Sequence, residues 1–405
     1  MPPFPTAGLL VVLVMMQACA TESSDAPGIT VRDSAGVRVV ENTVSPDDVP
    51  VYADLGEADL TIGVMEGDPV YSFANLLDVR TLPDGELIVV EAQSQELRVF
   101  DSGGRFVRTI GRQGEGPGEF GRLAKLADVE ADTVWTWDSR LSRLTWFRTD
   151  GDLLGDRRLM IGDFLVAELT RLADGTHLAA LVNFAAANDA ERFYVAPEPL
   201  MLLDADGEPV DSLRNVGGLD MMVTRSRSDN GRTMVMITPV PLGRGTSYAT
   251  SADRVYTGWN GEYRIVARTL SGTPSMVILA LGLQPPLDAA EVAALRERRM
   301  ESCPTETCEQ NVRTLFDDFE RPERRPAFSA FEVDADDNLW VAEYVPTDEP
   351  ATGWHVFSPE GELLGHVTVP SRLTVHEIGS DYILGVQENE LDVPFVRRFP
   401  LTRLR

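Results

Sequence analysis

Asp84-Gly85-Glu86-Leu87-Ile88-Val89 places an aspartate and a glycine directly before an apolar run. The pattern returns as Asp132-Thr133-Val134-Trp135-Thr136-Trp137, Asp174-Gly175-Thr176-His177-Leu178-Ala179, Asp253-Arg254-Val255-Tyr256, Asp337-Asn338-Leu339-Trp340-Val341 and Asp381-Tyr382-Ile383-Leu384. Asp-Gly and Asp-Asn between apolar runs read as hairpin turns, because these residues tolerate the positive φ of a tight turn. Recurring at roughly 40–50-residue intervals where no insert intervenes, they signal a repeat architecture. In a chain of 405 residues, a repeat that runs through most of the length argues for one toroidal unit with its core distributed between repeats.

A second hairpin signature follows each turn. It is clearest in Leu97-Arg98-Val99-Phe100-Asp101-Ser102-Gly103-Gly104-Arg105-Phe106-Val107, and it returns around Asp150-Gly151, Asp206-Gly207 and Glu360-Gly361. Each repeat therefore supplies four short antiparallel strands, the makings of a propeller blade. The expected fold is all-β, a six-bladed β-propeller over residues 50–403. Its blades are expected near 74–120, 121–163, 164–220, 233–282, 326–370 and 371–403. Residues 50–64 have strand character ahead of the first full blade, and they are expected to close the ring on the last one, since two blade edges would otherwise stay unpaired.

The run Val99 to Phe106, followed by Ile110-Gly111-Arg112-Gln113-Gly114-Glu115-Gly116-Pro117-Gly118-Glu119-Phe120, resembles an NHL-type repeat. From about residue 50 onward the chain resembles the six-bladed propeller lipoproteins of bacterial envelopes. Residues 1–19 fit that resemblance. The apolar run Ala7 to Met16 is too short to span a bilayer but suits a signal-peptide core, and Met16-Gln17-Ala18-Cys19 is similar to a lipoprotein signal ending at the lipidated cysteine. The resemblance implies a lipid on Cys19 and a place in the cell envelope, most simply at the outer membrane; an ordinary cleaved signal and a cytosolic protein are the other readings. Residues 20–49 read as a tether and N-terminal extension.

Residues 286–325 interrupt the repeat between blades four and five. Asp288 followed by Glu291 reads as a helix start, and a second helix is expected at about Glu306–Phe319 with Val312, Leu315 and Phe316 on one face. Cys303 and Cys308, close in sequence and without a nearby histidine, read as a local disulfide in preference to a zinc site.

Lys and Arg number 36 against 64 Asp and Glu, a formal charge of −28. Such a surface repels phosphate backbones and anionic bilayers, so nucleic acid is not an expected partner and the membrane is met only through the N-terminal lipid. No Gly-x-Ser-x-Gly elbow or His-Glu-x-x-His pair occurs, and the glycine-rich run Gly111 to Gly118 lacks the lysine and the following helix of a phosphate loop. The histidines His177, His355, His366 and His376 read as structural, as do the strand tryptophans. Arg225, Arg227, Arg232 and Arg244 read as a basic stretch balanced by nearby acids.

The ends of the strands that follow the aspartate turns should share one rim. They carry Glu91, Asp138, Asn183, Trp259, Asn260, Glu343, Tyr344 and Gln387, the candidate ligand-binding residues. No catalytic residue is assigned. A non-catalytic, monomeric binding propeller that recognises a small polar ligand or an envelope protein is the leading expectation. The alternative is a hydrolase or lyase with a divalent cation such as calcium at the channel mouth, which would require at least three of Glu91, Asp138, Asn183, Glu343 and Gln387 to converge on a metal.

Overall fold

The computed structural model describes residues 28–183, 190, 192–213, 217–227, 233–344 and 351–404, together with the backbone of 21–23. It is a six-bladed β-propeller with a small helical insert between blades four and five. In blade one, Leu76–Thr81, Leu87–Glu91, Glu96–Phe100 and Phe106–Ile110 pair in sequence order. Blades two, three, four and five begin with the inner strands Leu123–Glu130, Leu165–Arg171, Thr246–Thr250 and Ala330–Val333. Each repeats the same antiparallel order outward.

Turn chemistry sets this rhythm. Asp84 Oδ1 accepts from Glu86 N at 3.0 Å while Gly85 takes a φ of +87°. Asp174 and Gly175 repeat the arrangement, with Thr176 N donating to Asp174 Oδ1 at 3.0 Å and Gly175 at +84°. The outer hairpins use the same device, Asp101 Oδ1 accepting from Gly103 N and Arg105 N. Asp84, Asp101 and Asp174 are thus turn formers whose side chains satisfy backbone donors, a duty that Asp334 takes in blade five by accepting from Asp336 N and Asn338 N.

Blade six is completed from the other end of the chain. Its strands Leu373–Ile378, Tyr382–Glu388 and Pro394–Arg403 leave an outer edge, which Leu60–Ile62 and Ala53–Leu55 cover in antiparallel register. Val396 lies opposite Ile62, and Leu401 opposite Leu55. The N-terminal extension contributes more than a tether: Ile29–Ser34 and Val37–Thr43 form a hairpin whose second strand runs parallel to Pro274–Leu281, so blade four continues outward into the N-terminal strands. The alternation Val37, Val39 and Glu41 is that of an ordinary strand, and the absence of an aspartate turn hides its place in the ring.

Blade four also starts later than the repeat spacing implies. Its strands run from Thr246 to Leu281, whereas Gly218–Arg227 and Thr233–Pro239 join Phe193–Pro197 in a separate three-stranded sheet. Helices α1, Ala289–Glu301, and α2, Glu306–Asp317, pack beside this sheet. Asp288 caps α1 through Ala290 N at 2.9 Å. Glu291 does not complete a capping box; it pairs with Arg325 at 2.7 Å. Val312, Leu315 and Phe316 are buried with Met222 and Leu242, giving the insert its own apolar centre. Cys303 and Cys308 form a disulfide at the junction of the helices, with Cα atoms 5.4 Å apart.

Apolar clusters fill the interfaces between successive blades. The closing strand takes part in one of them: Leu60 and Ile62 pack with Val79, Val89, Leu384 and Val396 where blade six meets blade one. Ile62 is 1 % exposed, whereas Val51 is 47 % exposed. Ile62→Ala should therefore lower the unfolding free energy by about 2–4 kcal/mol, and Val51→Ala should change it by less than about 0.5 kcal/mol. Urea denaturation of the two variants checks this, and equal losses would mean that the N-terminal closure does not hold the ring. Replacing both Cys303 and Cys308 by Ser should cost about 2 kcal/mol through loss of the short covalent loop, measured in the same way.

Candidate functional site

Strand ends and inter-blade connections lie on one face of the ring, the aspartate turns on the other. On the first face, Glu91 accepts from Ala74 N, Asn75 N, Ser94 N and Ser94 Oγ. Asp138 does the same for its own blade, accepting from Gly121 N, Arg122 N, Arg140 N and Leu141 N at 2.6–3.1 Å. In both blades the carboxylate ties the segment entering the inner strand to the turn leaving the second strand. Asn260 performs this duty as an amide: Oδ1 accepts from Gly245 N at 2.7 Å and Nδ2 donates to Phe328 O at 2.9 Å. Gln387 Nε2 donates to Ser371 O at 3.0 Å.

Glu91, Asp138, Asn260 and Gln387 therefore hold equivalent places in their blades, but their polar atoms are turned to backbone groups. Trp259 Nε1 donates to Gly218 O at 3.1 Å, with the Arg244 guanidinium 5.1 Å from its ring centre, and Tyr344 OH accepts from Leu242 N at 3.0 Å. Glu343 is 43 % exposed and meets His355 Nε2 at 3.3 Å. Burial pushes Glu343 upward and His355 down to about 4, so their contact near neutral pH does not require an imidazolium. Asn183 is half-buried at the end of its strand. Among the described residues, no three of His, Cys, Asp and Glu stand together as a metal would require, so Glu91, Asp138 and Glu343 do not form such a group.

The side chains that do converge come from the inner strands. A cavity of roughly 370 Å³ in the central channel is lined from all six blades, with Arg80, Lys125, Arg171, Tyr248, Glu332 and Glu377 as its principal polar groups. A second space continues it to the face of the aspartate turns, past Glu130, Ser251 and Asp337. In blades one, two, three and six the inner strand carries a β-bulge, which redirects side chains where the strand faces the axis.

Charges in the channel are partly paired. Asp78 is buried and accepts from Val79 N at 2.9 Å, Leu126 N at 3.2 Å and His376 Nδ1 at 3.3 Å, with Arg80 Nε at 3.5 Å. Burial opposes its ionisation, yet Arg80 and the His376 hydrogen bond outweigh burial and hold the carboxyl well below the usual range. Glu168 accepts from Tyr248 OH at 2.7 Å and from Lys125 Nζ at 3.4 Å. Arg171 bridges Asp128 at 3.0 Å and Glu130 at 2.7 Å and stacks over Trp135. Tyr382 donates to Glu377, which also accepts from Thr81 N. Glu332 differs: burial raises its pKa despite the nearby charges of Arg80, His376 and Lys125.

Sequence reading missed this lining because it followed the strand after each aspartate turn and not the one before. The usable signal is the polar alternation of Asp78 and Arg80, of Tyr248 and Thr250, and of Glu168 and Thr170 just ahead of the turns.

The remaining candidates are accounted for locally. Glu119 closes its own glycine-rich loop by accepting from Gly116 N at 2.9 Å and pairing with Arg112 at 2.7 Å. His177 and His366 contact backbone carbonyls, and Trp137, Trp340 and Trp354 are buried between blades. Arg244 pairs with Asp220 at 2.9 Å, and Arg225 donates to Ala190 O at 3.0 Å. Cys19, Arg232 and the side chain of Arg227 lie outside the described residues. Among the described residues no helix is long and apolar enough to cross a membrane.

A family model described as DUF5128, a 6-bladed beta-propeller, matches residues 74–166. No curated protein matches the chain in sequence. Among solved structures, a protein described as exported from Bacteroides fragilis NCTC 9343 is similar at 14 % identity and a TM-score of 0.48, over 90 % of this chain and 99 % of that one. A member of the DUF4221 family from Bacteroides vulgatus ATCC 8482 is similar at 11 % identity and a TM-score of 0.48, over 87 % and 99 %. Virginiamycin B lyase from Staphylococcus aureus is similar at 12 % identity and a TM-score of 0.42, over 85 % and 99 %.

The pKa of Asp78 is lower in the folded chain than the unfolded value of 3.8, so its ionised form adds stability above that pH and the contribution fades as pH falls below it. Asp78→Asn should cost about 3 kcal/mol at pH 7 by stranding Arg80 and His376. The gap from the parent protein should narrow below pH 3.8, which urea titrations at pH 7 and in acid would reveal. A gap independent of pH would mean that the loss is steric.

Proposed function

We propose that this is a non-catalytic binding propeller of the bacterial cell envelope, which takes a small polar ligand into its central channel from the face of the aspartate turns. The observation that carries this reading is the convergence of ionisable and hydroxyl side chains from six inner strands on one cavity in the channel that the blades leave at their axis. Its volume of roughly 370 Å³ falls in the range, about 300–1,000 Å³, of sites for small molecules. The strand-end rim and the helical insert form the outer wall on the opposite face, where a partner protein of the envelope would dock. A lipid on Cys19, with the residues after it as a tether, holds the ring at the membrane.

Two measurements test the reading. Thr250 lines both parts of the channel, so Thr250→Trp should abolish the thermal shift given by any small polar ligand that stabilises the parent protein. A ligand whose shift survives this substitution binds elsewhere. Cys19→Ser should release the protein from the membrane fraction into the soluble one, and retention in the membrane would refute the anchor.

A further inference from the structure

Two channel groups of opposite charge keep polar atoms that the fold does not pair. Arg80 lines the cavity and makes one side-chain contact among the described residues, through Nε to Asp78 at 3.5 Å, so neither terminal amino group of its guanidinium has a protein partner there. Glu332 also lines that cavity, and its carboxylate has neither a hydrogen bond nor an ion pair among the described residues. The contrast with the other channel acids is marked. Asp78, Asp128, Glu168 and Glu377 each have at least one hydrogen-bonded partner.

Arg80 stands on the inner strand of blade one and Glu332 on that of blade five, with the inner strand of blade six, Leu373–Ile378, between them. They feel each other's charge but are too far apart for an ion pair. A planar guanidinium fork suits a carboxylate, and a free carboxylate in a confined polar space suits an ammonium group. Resting on the channel reading above, we propose that the channel binds a free α-amino acid, its carboxylate on Arg80 and its ammonium on Glu332. Neutral sugars and polyols would leave both charges unmatched, and an anion or a cation alone would leave one. Lys125 and Tyr248, already joined to Glu168, line the same wall and are placed to meet the amino acid's side chain.

The test is isothermal titration calorimetry of the full chain with the protein amino acids, each compared with its N-acetyl form and its α-amide. At least one free amino acid should bind, and both blocked forms should bind at least about tenfold more weakly, the loss of one charge-assisted contact. Glu332→Gln, which keeps shape and removes charge, should weaken the free amino acid about tenfold without altering the N-acetyl form. Arg80→Met should weaken the free and N-acetyl forms and leave the amide unchanged. Binding that is indifferent to acetylation or amidation overturns the proposal, as does the absence of binding by every amino acid. If a neutral polar ligand binds and Thr250→Trp abolishes it, the channel reading stands and only the amino-acid assignment falls; a ligand unaffected by Thr250→Trp removes both.

Discussion

Everything in this molecule depends on closing a ring. Each blade buries one face of its sheet against the next, so a chain of blades that fails to meet itself leaves two apolar faces in water. Here the two ends are joined by a short length of backbone pairing, Leu60–Ile62 and Ala53–Leu55 along Pro394–Arg403. The residues involved are distant in sequence, which makes the closure a late and entropically costly contact. Its return is the completed cluster around Ile62, Val79 and Val396, which neither blade could bury alone. The N-terminal hairpin at 29–43 extends the same logic to blade four, covering the outer edge of Pro274–Leu281 with further strands.

A ring built this way must also hold its strands in register at the axis, and the strand-end residues do so. Glu91 and Asp138 gather backbone donors from the segment entering the inner strand and from the turn leaving the second, much as a carboxylate caps a helix. That use is compatible with their repetition around the ring: the same backbone gap recurs in blades one, two and four, and the side-chain oxygens of Glu91, Asp138 and Asn260 fill it. Equivalent position in a repeat therefore indicates equivalent structural need at least as readily as a shared ligand.

This explains which parts were legible in the sequence. The aspartate turns gave the blade count because turn residues act locally, and their chemistry survives translation into sequence pattern. Helix α1 was legible for the same reason, through Asp288. The hairpin at 29–43 and the sheet containing Gly218–Arg227 were not, since their partners are set by tertiary pairing and no periodic signal marks them. The polar strand ends were visible as residues but not as clamps, because the donors of Glu91 and Asp138 are backbone groups that sequence does not rank. The channel was legible only in hindsight of geometry: Arg80 and Glu332 come from blades far apart in the chain, and only the closed ring sets them around one axis.

The channel's composition sets it apart from the rest of the core. The interfaces between blades are apolar and close-packed, and an axis filled in the same manner with aliphatic side chains would hold the ring at least as well, because buried ion pairs seldom outperform apolar packing. Instead the inner strands present Arg80, Lys125 and Arg171 together with Asp128, Glu332 and Glu377 to a shared cavity. Where these charges serve the fold, they are matched: Arg171 spans two acids, and Asp78 receives backbone and side-chain donors together. Glu332 is the exception, an acid whose burial raises its pKa and whose oxygens have no partner within the fold. A carboxylate without a protein partner that shares a cavity with a guanidinium whose terminal amino groups are also unpaired fits something that enters the channel better than anything the ring itself requires.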